Sequence, residues 1–170
     1  VRSRGLGDVY KRQPGDPSIL VALLMNRVRL APGQQIHLGA GTMHAYLGGT
    51  GVEIMANSDN VLRGGLTSKY VDVKALLDHA NMTPEPCVAE YAEQVSSGIG
   101  RYRTEFPEFR LWELKSHDDT LALPAAELGR ILLVTEGQLV AHWGTTNCEL
   151  SSGQSCLLYT SDAADEEDSV

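Results

Sequence analysis

Apolar and polar positions along this chain follow two different periods. Ile19, Leu20, Leu23 and Leu24 recur at helical spacing behind Asp16 and Pro17, a capping residue followed by proline at the first helical position. This predicts a short helix ending near Asn26. The period then drops to two: Val28 and Leu30 alternate with Arg27 and Arg29, Ala31-Pro32-Gly33 turns, and Ile36 and Leu38 alternate with Gln35 and His37. Met43–Leu47 and Val52–Ala56 read as further strands, with turns at Gly39–Gly41 and Gly48–Gly49. Asp72 is placed to cap a second short helix carrying Val73, Leu76 and Leu77.

Pro84 and Pro86 mark a linker, which predicts a domain boundary between residues 82 and 83. Beyond it, Phe109–Leu114, Arg130–Thr135, Gln138–Trp143 and Cys148–Leu150 are strand-like and separated by glycine-bearing turns. Short, glycine-punctuated strands with few helices predict a mainly β fold of jelly-roll β-sandwich units. Residues 14–82 would form one unit and 83–156 a second, smaller one.

The two ends do not share this patterning. Residues 1–13 (VRSRGLGDVYKRQ) are basic and aperiodic, and residues 157–170 carry five acids with almost nothing apolar after Tyr159. Both strings also resemble translated sequencing-adapter read-through. They are read as non-native or disordered tails.

The formal net charge of −8 and pI near 5.0 supply no basic surface for a polyanion, which argues against nucleic acid as a partner. No apolar run reaches membrane-spanning length, and the start lacks the apolar stretch of a secretory signal. Cys87, Cys148 and Cys156 form no CxxC pair and read as free thiols of a reducing compartment, so a cytoplasmic protein is expected.

Candidate chemistry is concentrated between His37 and Asp72, where His44, Tyr46, Glu53, Asn57, Asp59, Asn60, Arg63 and Lys69 lie among glycines and strand-like residues. Polar groups packed this densely are costly to fold unless paired or used. His44 is able to ligate a metal through neutral imidazole, but a catalytic zinc needs about three protein ligands, and a hydrogen-bonded structural histidine is the plainer alternative. Arg63 and Lys69 flank Gly64 and Gly65, where a guanidinium fork and an ammonium suit an anion; surface ion pairs to Glu53 or Asp59 are the alternative. Asp59 and Glu53 suit proton transfer, although turn duty is commoner for an aspartate between Ser58 and Asn60. His79, His117 and His142 have no metal spacing with one another.

MHAYLGGTGVEIMANSDNVLRGGLTSKYVDV strongly resembles the second conserved block of the type I mannose-6-phosphate isomerases, and the resemblance continues upstream through GDPSILVALLMNRVRLAPGQ and downstream into FRLWELK, ILLVTEGQLV and LSSGQS. It covers residues 14–155. The resemblance implies cupin jelly rolls and one zinc held by a glutamine, two histidines and a glutamate. It also implies interconversion of mannose 6-phosphate and fructose 6-phosphate by proton transfer through an enediol. His44, in the HAY triplet, corresponds to the last zinc ligand, and Arg63, in NVLRGGLT, to the catalytic arginine. Asp59 falls at the active-site aspartate and ranks ahead of Glu53 for proton work, while Tyr46, Glu53 and Lys69 would line the substrate pocket. Gly64 stands where alanine is usual, and Ser68 where proline is usual.

The family's other three zinc ligands precede the matching segment, so they are expected outside this chain, which by itself should be an inactive C-terminal fragment. Two rival readings remain. One is a non-catalytic, sugar-binding cupin; the other is a metal-dependent oxygenase using His37, His44 and Glu53 as two histidines and a carboxylate.

Overall fold

The structure, a computed structural model, describes residues 2–3, 15–58, 60–116, 120–124, 129–144 and 146–158. Short strands dominate, with two seven-residue helices, α1 (Ser18–Leu24) and α2 (Val73–His79). The chain divides into two compact units, residues 1–119 and 120–170.

In the first unit, β1 (Arg2–Ser3) pairs antiparallel with β3 (Gly49–Thr50), and β2 (Gln34–Gln35) with β4 (Glu90–Tyr91). A three-stranded antiparallel sheet follows in the order β5 (Glu93–Ser96), β6 (Ile99–Arg101), β7 (Trp112–Leu114). Ile99 on the central strand is buried. Gly100 lets β6 and β5 approach closely, since a Cβ there would fall 2.8 Å from the Ala92 methyl. At the edge of the sheet the Arg101 guanidinium sits 5.9 Å from the centre of the Trp112 ring, a cation–π contact.

The expected boundary at residues 82/83 falls inside this unit, and several interactions span it. They include the β2–β4 ladder, a hydrogen bond from Tyr102 Oη to the Gly33 carbonyl (2.7 Å) and one from Gln35 Nε2 to the Arg103 carbonyl (2.7 Å).

In the second unit, β8 (Arg130–Leu133) pairs with β11 (Ser155–Leu158), and β9 (Gln138–Trp143) forms a hairpin with β10 (Thr146–Ser151). Leu139, Ala141 and Trp143 face inward along β9 while Gln138, Val140 and His142 face out, the alternation a half-buried strand requires. Val134 and Leu150 form the buried core here. Leu157 and Leu158, placed with the acidic tail by sequence, belong to β11.

The helices begin as their capping residues dictate. The Asp72 carboxylate accepts from the Ala75 amide (2.9 Å), and α2 stops at Ala80, whose backbone turns extended. The Asp16 carboxylate accepts from the Ser18 amide (2.9 Å), although the residue directly preceding α1 is Pro17. Neither helix buries a residue; Leu23 and Leu24 are 74% and 87% exposed, so the predicted apolar face of α1 is uncovered.

Three predicted strands are absent from the described residues. The residues around Val28 and Leu30, Met43–Leu47 and Val52–Ala56 make no ladder, although the turns between them form, with Gly33 and Gly41 at positive φ. A strand needs a hydrogen-bonding neighbour as well as a two-residue period. Here the apolar members of the pattern, among them Val52, Ile54 and Met55, remain exposed.

Candidate functional site

His44, Tyr46 and Glu53 come together in the first unit. The His44 ring lies edge-on to the Tyr46 ring, with centroids 6.1 Å apart and planes at 72°. The Tyr46 phenol is hydrogen-bonded to the Glu53 carboxylate; burial first, then that bond and the carboxylate charge, raise its pKa above the ordinary 10.0. The phenol therefore stays protonated at neutral pH and donates to Glu53.

His44 Nδ1 lies 2.9 Å from the Thr42 carbonyl oxygen. A carbonyl only accepts, so Nδ1 carries a proton, and in the neutral ring the Nε2 lone pair is left available. This backbone contact is the arrangement that orients a metal-binding imidazole. The Thr42 hydroxyl oxygen is buried and, among the described residues, has no hydrogen-bond partner.

The segment bearing His44 is wedged between two neighbours. On one side, the Gly41 carbonyl accepts from the Asn81 amide (2.9 Å), and a Cβ on Gly41 would fall 2.6 Å from the His79 carbonyl oxygen. On the other, the Met43 methyl packs against Gly64, where an added Cβ would fall 2.9 Å from it. The loop that carries Arg63 therefore touches the residue next to His44.

Beyond Gly64 the backbone takes left-handed values at Gly65 (φ 120°) and Leu66 (φ 49°). The Leu66 amide donates to Asp16 Oδ2 (2.8 Å) and Ser18 Oγ (3.0 Å), and the Lys69 amide to Thr67 Oγ1 (3.1 Å). Arg63 and Lys69 are exposed and, among the described residues, neither makes an ion pair, so the alternative of a surface salt bridge between Arg63 and Glu53 is not realised. Asp59 lies outside the described residues.

Among the described residues, no group of three histidine, cysteine or acidic side chains is placed to hold a metal. This sets aside the oxygenase reading, which needed His37, His44 and Glu53 together. His44 by its tautomer fits a single ligand of a metal completed from elsewhere. A glutamine and a histidine, two of the ligand types the resemblance implies, do stand close together upstream of His44, in Gln35-Ile36-His37. Their side chains are engaged otherwise, Gln35 with the Arg103 carbonyl and His37 edge-on to Phe106 at 6.3 Å.

Sequence reasoning also missed Asp16, Ser18, Thr42 and Met43 as part of this neighbourhood. Asp16 was legible only as a helix cap, and nothing local signals its contact with a loop 50 residues away.

The mannose-6-phosphate isomerase of Escherichia coli (strain K12) is 34% identical to this chain over 151 residues, which is 85% of the chain and 37% of the relative. That of Salmonella typhimurium (strain LT2) is 37% identical over 150 residues, again 85% and 37%. This chain is a homologue of the mannose-6-phosphate isomerases. The likeness extends to plants, since mannose-6-phosphate isomerase 1 of Arabidopsis thaliana is 36% identical over 130 residues, 75% of the chain and 30% of the relative. The chain thus spans little more than a third of the length of the mannose-6-phosphate isomerases it matches. No family model matches it. No solved structure matches it significantly. No helix among the described residues is long and apolar enough to cross a membrane.

Proposed function

We propose that this segment is the C-terminal part of a cytoplasmic, zinc-dependent mannose-6-phosphate isomerase of cupin architecture, supplying one metal ligand and part of the substrate pocket. The observation that carries the reading is the His44 imidazole, its Nδ1 turned to the Thr42 carbonyl and its ring beside the Tyr46–Glu53 pair, in a chain homologous to these isomerases.

In this reading His44 Nε2 is one zinc ligand and three further ligands come from outside the segment. The metal, when bound, would polarise the sugar's carbonyl and hydroxyl oxygens. The Tyr46 phenol, its proton held by Glu53, accepts from one sugar hydroxyl through its oxygen, and the remaining Glu53 carboxylate oxygen accepts from another. Lys69 attracts the phosphate. Conversion of the aldose to the ketose moves the C2 proton to C1, while O2 loses a proton and O1 gains one. Asp59 is the carboxylate we assign to this transfer. The Arg63 guanidinium stabilises negative charge on the enediolate oxygen or the phosphate.

The fragment alone, lacking three ligands, binds zinc weakly and turns over no sugar phosphate. The test is to join the segment to the missing part of an isomerase and assay mannose 6-phosphate conversion with zinc and with chelator. Zinc-dependent conversion supports the assignment. No conversion by a complete, folded chain refutes it and favours a sugar-binding cupin instead.

A further inference from the structure

The chain crosses itself once in a way that its helix cap does not explain. Asp16 Oδ1 accepts from both the amide (2.9 Å) and the hydroxyl (2.5 Å) of Ser18, and this orients the serine oxygen so that it accepts in turn. Asp16 Oδ2 and Ser18 Oγ then converge on a single donor, the amide of Leu66, 50 and 48 residues further along. Leu66 is the non-glycine residue at positive φ among the described residues, a conformation that leucine does not adopt without support. Gly65, just before it, leaves no room for a side chain, because a Cβ there would overlap Ser18.

We infer that Asp16 and Ser18 are positioning residues that lock the backbone of the Arg63-bearing loop, fixing where the Arg63 guanidinium is presented. The inference rests on the role proposed above for Arg63. A cap needs only the Ser18 amide; the second carboxylate oxygen and the serine hydroxyl are spent on Leu66. Gly64 against the Met43 methyl secures the other side of the loop. Arg63 is thus anchored through its backbone neighbours while its side chain stays exposed and unpaired among the described residues. The Asp16 carboxyl titrates below the usual carboxylate range, chiefly through the Ser18 hydroxyl and then the Ser18 amide, opposed by burial, with the Leu66 amide adding a smaller downward push. The anchor is therefore charged at neutral pH.

Two measurements test this. In the 170-residue chain, amide hydrogen exchange should show Leu66 exchanging at least tenfold faster in Asp16→Ala, and severalfold faster in Ser18→Ala, while Ile99 and Leu114 in the sheet keep their rates. An unchanged Leu66 rate, or equal acceleration everywhere, overturns the anchor.

In a complete enzyme carrying this segment in place of the matching part of the Escherichia coli relative, Asp16→Ala should lower kcat at least tenfold with KM changed less than twofold. Asp16→Asn, which keeps an acceptor oxygen, should restore much of the rate. Should Asp16→Ala not fold, Ser18→Ala carries the same test, because it removes only one of the two acceptors. An active enzyme indifferent to these substitutions refutes the positioning role alone. One that is inactive before any substitution refutes the functional reading and the positioning role with it.

Discussion

Gly65 and Ser18, 47 positions apart in sequence, lie so close that no side chain fits on the glycine. Gly65 also has φ of 120°, which L side chains rarely adopt. Gly65→Ala should therefore lower stability by about 2 kcal/mol or more, combining backbone strain with overpacking. Gly64→Ala should cost under about 1 kcal/mol, because the atom it meets is the mobile end of Met43. Chemical denaturation of the two variants in the complete enzyme checks the contrast.

The loop anchor should respond to acid with a definite sign. The Asp16 pKa is depressed below its ordinary value of 3.8, so its stabilising effect is fully present above pH 3.8 and is lost as pH falls through the lower folded value. Leu66 amide protection should then be flat from pH 5 to 8, apart from intrinsic exchange, and collapse only below pH 3.8. Loss of protection near pH 6 would implicate another group.

Tyr46→Phe removes the phenol that donates to Glu53 but little packing, since Tyr46 is 48% exposed. The lost bond joins two protein groups at a half-exposed site, so its direct effect falls on stability and should stay near or below about 1 kcal/mol. In the complete enzyme Glu53 also loses the donor that orients it, so KM for mannose 6-phosphate should rise severalfold. Steady-state kinetics beside a denaturation curve separates the two.

How far the sequence foretold this structure depended on whether each signal was local. The β9 strand was legible to the residue because its alternation closes on β10 across a turn at Gly144. α2 was legible because the Asp72 side chain caps it directly. The strands expected at Met43–Leu47 and Val52–Ala56 did not form, because alternation describes faces and not partners. The β4, β5 and β6 strands were missed for the opposite reason, as Glu90–Arg101 is polar and weakly alternating yet finds partners in β2 and β7.

The candidate site divides the same way. His44, Tyr46, Glu53, Arg63 and Lys69 were found through a contiguous stretch that resembles a known family. The Tyr46–Glu53 bond and the contact of Gly64 with Met43 required coordinates. So did Asp16 and Ser18, whose second set of hydrogen bonds reaches across some 50 residues.

Whether His44 is a zinc ligand of an isomerase active site can be read from one experiment. In the complete enzyme, zinc content per chain and the rate of mannose 6-phosphate conversion are determined in the same preparation, before and after His44→Ala. Bound zinc and rate should fall together, with metal affinity reduced by at least the roughly ten- to hundredfold that loss of an outer-shell partner costs. A His44→Ala enzyme that keeps both its zinc and its rate would contradict that role.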